Sequence, residues 1–169
     1  MGRGDRVGFG LPGQPAAREM MVLAKRAEEL GVDSVWLTET RFTRDAITTS
    51  AAVAAATNRV RIGTAVTNPF TRGAVLTAVT FATLDELAEG RLVFGFGPGS
   101  PHILRRQGFG FDLPLTRTRE HIDVVRQLLT GDRISYEGQT VSIDSVALDF
   151  QPYRPTIPLY LGVTGPKAL

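Results

Sequence analysis

The sequence predicts an α/β fold built on a parallel sheet. Five short apolar segments with strand character follow one another along the chain, a segment with helical periodicity follows each, and the unit recurs. Its spacing of roughly 30 residues is that of a right-handed strand–helix–strand crossover.

The first strand is expected at Arg6–Gly10, where Val7 and Phe9 are apolar, and the second at Ser34–Thr38, which carries Val35, Trp36 and Leu37. The third spans Val60–Val66, the fourth Leu92–Phe96 and the fifth Pro158–Val163. β-Branched, aliphatic and aromatic residues dominate them, as in strands covered on both faces. Between the first two, Met20, Leu23, Ala24, Ala27 and Leu30 recur at helical spacing and Gly31 stands where a left-handed cap ends a helix. The same pattern returns with Leu76, Val79, Thr80, Leu84 and Leu87 before Gly90, and with Ile122, Val125, Leu128 and Leu129 before Gly131. Residues 132–157 break the rhythm: Ile134, Tyr136, Val141 and Ile143 alternate with polar residues around Glu137, Gly138 and Gln139, which predicts an inserted hairpin. It is either a lid or dimer contact at the functional end, or plain structural embellishment.

A closed eight-unit barrel typically takes about 250 residues, and this chain has 169. On length alone an open doubly wound sheet fits better. The chain is 43% hydrophobic and 21% charged, which suits one well-packed domain spanning 1–169. Its 19 basic and 17 acidic residues nearly balance, so nucleic acid is not an expected partner. There are no cysteines, which excludes disulfides and thiolate chemistry and agrees with a cytoplasmic setting. The apolar-leaning run from Ala46 to Asn58 is too short to span a bilayer, and no membrane partner is expected.

Ligand sites on such sheets form at the C-terminal strand ends, so the residues that follow each strand are the candidates. After the second come Thr38, Glu39, Thr40 and Arg41; after the third, Thr67, Asn68, Pro69, Phe70, Thr71 and Arg72; after the fourth, Gly97, Pro98, Gly99 and Ser100. The fifth ends in Gly162, Val163, Thr164 and Gly165, with Pro166 in position to open a helix. Small residues at these points let backbone amides approach a planar or phosphorylated ligand. The Gly97–Ser100 run is not a dinucleotide fingerprint, and a tight turn alone would also explain it. Glu39 is the only carboxylate directly after a strand; it is either a catalytic acid or a loop residue, solvated or paired with Arg41 or Arg44. His102, beyond the glycine loop, is either a group that reaches a substrate or a residue with no such role. His121 is expected to be a partly exposed helix residue, and two distant histidines give no metal site.

Four motifs in order, RIGTAVTNPFTR at Arg61–Arg72, TLDELAEGR at Thr83–Arg91, FGFGPGS at Phe94–Ser100 and YLGVTGPK at Tyr160–Lys167, resemble the bacterial luciferase-like superfamily. Within it the resemblance is to coenzyme F420-dependent oxidoreductases, especially methylenetetrahydromethanopterin reductase. It implies a (β/α)8 TIM barrel of which this chain is a partial one, the N-terminal half with about five parallel strands. The resemblance places a bulge in the third strand with a non-prolyl cis peptide behind the deazaflavin ring; the matching bond joins Ala65 to Val66. Thr67 and Asn68 match residues beside the ring, Thr38, Glu39 and Thr40 the end of the second strand, Gly97, Pro98 and Gly99 the fourth loop, and Gly162, Val163 and Gly165 the loop that receives the cofactor's phosphate region. Relatives often have an acid followed by histidine where Glu39, Thr40 and Arg41 stand here, and a glutamate where Gly10 stands. Both departures bear on the methanopterin substrate more than on the cofactor.

The implied chemistry is hydride transfer between a reduced deazaflavin and a small organic acceptor, with proximity as the main catalytic term. An iminium acceptor needs no proton donor, whereas a carbonyl or alkene needs an acid, for which Glu39 is the first candidate. The alternatives are an FMN-dependent monooxygenase of the same superfamily, or a non-catalytic half-barrel whose open edges favour a homodimer and which is inactive alone.

Overall fold

The computed structural model describes residues 6–39 and 42–164. In chain order it contains β1 (Gly8–Leu11), α1 (Ala17–Glu29), β2 (Ser34–Thr38), α2 (Ala46–Ala56), β3 (Arg61–Ala65), α3 (Ala74–Leu87), β4 (Leu92–Phe96), α4 (Pro101–Arg106), α5 (Pro114–Leu129), β5 (Ile134–Glu137), β6 (Ser142–Val146) and β7 (Leu159–Leu161). Five strands pair in parallel in the order β1-β2-β3-β4-β7, and β5 and β6 form the separate antiparallel hairpin.

That sequential order corrects the expectation of a doubly wound sheet drawn from length. A doubly wound sheet reverses direction at a switch point; here every crossover advances the same way, which is how a TIM barrel is wound. The register shows the same thing. Val35 lies opposite Ile62 and Ile62 opposite Leu92, so these residues share one face with Phe94 and Phe96. All are buried in the two apolar clusters that include helix residues such as Met20, Val53, Phe81 and Val125.

The opposite, inner face is dominated by glycine and two aromatics. Gly10 and Gly63 flank Trp36, and Gly95 pairs with Tyr160. A Cβ on Gly63 would lie 2.5 Å from the Trp36 six-membered ring, so glycine there makes room for the indole. Trp36 in turn meets Tyr160 edge-on with centroids 5.4 Å apart. Their strands stand three places apart in the sheet, about 14 Å if it were flat. The rings meet over the concave side of a curled sheet.

The helices end as the glycines predict: Gly31, Gly90 and Gly131 take positive φ of 79°, 78° and 88°. Other boundaries differ from expectation. The first strand starts at Gly8, because the Val7 amide instead donates to Asp33 Oδ2 at 2.8 Å. The third stops at Ala65 and the fifth covers only Leu159–Leu161. The run from Ala46 is helix α2, started by Asp45, whose side chain accepts from the Thr48 amide at 2.6 Å. Among the described residues no helix is long and apolar enough to cross a membrane.

Buried carboxylates fasten loops away from the candidate site. Glu28 accepts from the amides of Asn58, Arg59 and Val60, just before β3. Glu120 on α5 accepts from the amides of Gln139, Thr140 and Val141 and so clamps the hairpin turn. The hairpin's Ile134, Tyr136, Val141 and Ile143 pack on the α3–α5 cluster, and none of its residues lines the clefts at the strand ends.

Candidate active site

The site begins where β3 leaves its ladder. Gly63 is opposite Val93, but the next bridge to β4 joins Thr67 to Phe96, so β3 carries one extra residue over this stretch. That is a β-bulge, a device common beside active sites. Thr67 re-enters the ladder by donating to the Gly95 carbonyl at 2.9 Å and accepting from the Gly97 amide at 3.0 Å. The bond from Ala65 to Val66 is cis, as the resemblance implies.

The bulge pushes Val66 between two glycines. A Cβ on Gly162 would lie 2.8 Å from Val66 Cγ1, and one on Gly97 would lie 3.1 Å from Cγ2 and 2.4 Å from the Gly162 carbonyl. Only glycine fits at either position with Val66 in place. Gly99, at φ 76°, has the same closeness to Asn68 and Leu104. In front of this wall opens a cleft of about 430 Å³, lined by Thr38, Glu39, Ala65, Val66, Gly99 and Gly162, with Ser100, His102 and Ile103 at its α4 side.

Several expected residues are placed differently. Thr67 and Asn68 are fully buried and support the wall from within, not along the cleft. The Asn68 side-chain carbonyl oxygen accepts from the Phe70 and Thr71 amides at 3.0 and 3.1 Å, while its buried Nδ2 has no partner among the described residues. Pro98 is half-buried and off the cleft, and Val163 lines a separate groove between α5 and β7. Thr40 and Gly165 lie outside the described residues, as does Arg41.

Glu39 forms the partition between this cleft and a neighbouring one of about 410 Å³ that contains Arg44, Asp45, Arg72 and Gln107. Its Oε2 lies 3.2 Å from Thr67 Oγ1. Burial pushes its carboxyl above the usual carboxylate range and the Asp45 charge adds to this, while Arg72 and a hydrogen bond from the Thr67 hydroxyl to the carboxylate oppose it. Arg44 is committed elsewhere, to the carbonyls of Gly13 and Gln14. Glu39 is thus half-buried between two clefts, and Arg44 is engaged by the loop after β1; the expected alternative pairing with Arg41 lies outside the described residues. Asp45 and Arg72, 3.7 Å apart, were not singled out from the sequence as tuning residues; the helix-capping position of Asp45 ahead of an apolar run was the available signal.

His121 corrects an expectation. It is 1% exposed, not a surface residue: its ring stacks on Phe96 with centroids 4.9 Å apart, and its Nε2 is 2.9 Å from Thr77 Oγ1. The Thr77 hydroxyl donates to the Gly73 carbonyl at 3.0 Å, so His121 Nε2 carries the ring proton. It lies behind the sheet, away from the cleft. Among the described residues no cluster of three or more histidines and acids could hold a metal.

Residues 5–169 match the family model for luciferase-like monooxygenases. The chain belongs to that family. It is 36% identical over 146 residues to a 5,10-methylenetetrahydromethanopterin reductase of Methanolobus tindarius, a match covering 86% of this chain and 44% of that protein. It is 32% identical over 162 residues to an F420-dependent glucose-6-phosphate dehydrogenase of Amycolatopsis mediterranei, covering 88% and 48%. The solved structure of the coenzyme F420-dependent tetrahydromethanopterin reductase of Methanopyrus kandleri superposes with a TM-score of 0.91 at 27% identity, covering 96% of this chain and 51% of that one. The chain thus spans about half the length of the curated relatives it matches. This luciferase-like chain has the bulge after β3 that the resemblance implies.

Proposed function

We propose that this chain supplies the cofactor-binding half of an F420-dependent oxidoreductase that moves a hydride between the reduced deazaflavin and a small organic acceptor. The observation that carries the proposal is the wall made by Ala65 and Val66, seated between glycines at 97 and 162. Planar rings need a backing without projecting side chains, and the glycines provide it. The donor set also fits: hydroxyls at Thr38 and Ser100 on the cleft suit a polar, multiply hydroxylated ligand. The relatives named as F420-dependent enzymes support this cofactor over FMN.

When bound, the deazaflavin supplies or accepts the hydride. The chain's own residues do the rest. Ala65 and Val66 would back the bound ring, Gly99 and Gly162 would let backbone approach it, and Glu39 stands at the cleft with burial pushing its carboxyl above the usual carboxylate range. Gly10 has open space where a side chain would project; the resemblance implies a glutamate at this place in close relatives, and its absence here bears on the methanopterin substrate.

The test is equilibrium binding of F420 against FMN, read by quenching of Trp36, the only tryptophan, two residues before Thr38 on the same strand face. Saturable quenching by F420 and not by FMN supports the proposal. Preferential binding of FMN, or of neither, counts against it.

A further inference from the structure

Behind Glu39 runs a short file of hydroxyls whose proton count can be worked out. Thr64 Oγ1 lies 2.7 Å from the Gly95 carbonyl oxygen. Thr67 Oγ1 lies 2.9 Å from Thr64 Oγ1 and 3.2 Å from Glu39 Oε2. Both threonines are fully buried, so water does not compete for the Thr67–Thr64 and Thr64–Gly95 contacts, while Glu39 is half-buried at the edge of the clefts.

A carbonyl oxygen only accepts, so the Thr64 hydroxyl proton is spent on Gly95. Thr64 is then an acceptor towards Thr67, and the Thr67 proton is spent on Thr64. Three contacts need three protons, and two threonines supply two. The third comes from the carboxyl. With Glu39 ionised, the Thr67 proton turns to the carboxylate and two hydroxyl oxygens are left facing each other, buried and without a proton between them. With Glu39 neutral, every link is satisfied in one direction, from Glu39 to Thr67 to Thr64 to Gly95.

We propose that Thr64, acting through Thr67, is a positioning residue that holds the Glu39 carboxyl in its protonated form. The catalytic consequence rests on the hydride-transfer reading: a neutral acid at the cleft suits an acceptor that must gain a proton with the hydride, a carbonyl or activated alkene in preference to an iminium. The other groups facing Glu39 among the described residues are Asp45 at the start of α2 and Arg72 after β3, which act in opposite senses, with Arg44 and Gln107 in one adjoining cleft and His102 in the other.

The experiment is a carbon-detected NMR titration of the Glu39 carboxyl in the purified chain, needing no cofactor, so its result is independent of whether F420 binds. In Thr64→Val the Thr67 proton is released to the carboxylate, and the Glu39 midpoint should fall by about one pH unit. Thr64→Ser, which keeps the hydroxyl, should leave it unchanged. A midpoint that stays or rises in Thr64→Val, or that falls equally in Thr64→Ser, overturns the proposal. Should Thr64→Val fail to fold, Glu39→Gln still tests it. The amide NH donates to Thr67 as the neutral acid does, so the Thr64 hydroxyl proton should exchange no faster than in the wild type; faster exchange overturns the assignment.

Discussion

Arg154 clasps Asp85 through two parallel hydrogen bonds, Nε to Oδ2 at 2.7 Å and Nη2 to Oδ1 at 2.8 Å. The Asp85 side chain is 1% exposed, and the same guanidinium reaches the Leu92 carbonyl at the start of β4. The pair fastens the segment after the hairpin to the base of the sheet. Removing one member leaves a buried charge unpaired, so Arg154→Ala should cost about 3 kcal/mol in urea denaturation. An unchanged midpoint would mean that water replaces the guanidinium without loss.

Gly63 and Gly10 offer a paired test of the inner face. A Cβ on Gly63 meets the Trp36 ring, whereas one on Gly10 meets nothing within 4 Å. Gly63→Ala should destabilise by about 2 kcal/mol and shift Trp36 emission as the indole is displaced. Gly10→Ala should leave both the melt and the emission near wild type.

Burial pushes the His121 imidazole down to about 4, with Arg117 adding to the effect. The unfolded chain takes up this proton near pH 6.5 and the folded chain only near 4, so the unfolded state binds more protons in between. The melting temperature should therefore fall as pH drops from about 6.5 to about 4. In His121→Phe, which preserves the stack on Phe96, that part of the pH dependence should flatten.

Glu120 acts in a lower window. The Thr140 hydroxyl, and then the amides of Gln139, Thr140 and Val141, hold its carboxyl down at about 2 against the cost of burial. Its contribution is complete above the ordinary glutamate range and is lost as pH falls from about 4.5 towards 2. Hydrogen exchange at the three turn amides should accelerate across that window. Glu120→Gln should accelerate it at neutral pH and remove the acid-dependent step.

The strands β2 and β4 were legible because each is a compact apolar run of strand length bounded by polar or glycine residues, Ser34–Thr38 and Leu92–Phe96. Helix α2 carries no residue-level stripe in the sequence: its alanines, threonines, Ile47, Ser50 and Val53 offer no polar face to create periodicity, since it packs among α1, α3 and the sheet. The burial of His121 was available in principle: it stands four and seven residues before Val125 and Leu128, on the stripe that faces the core. Charge preference argued for exposure, and the phenylalanine at 96 and the hydroxyl at 77 that accommodate the ring are distant in sequence. At the site, the bulge and the glycine loops were visible through family resemblance. The link from Glu39 to Thr67 and Thr64 was not, because it depends on a register displaced by one residue.

The winding of the sheet has a bearing on how the molecule is made. Each strand of the sheet pairs with the one synthesised before it, always at the same growing edge. A nascent chain leaving the ribosome can therefore lay down β2 on β1, then β3 on β2, without waiting for a distant partner. A doubly wound sheet must reserve an inner edge for strands not yet made. Vectorial growth of this kind keeps closing loops short and leaves only the most recent strand unpaired beside the β1 edge, which lowers the chance of association with other chains during synthesis.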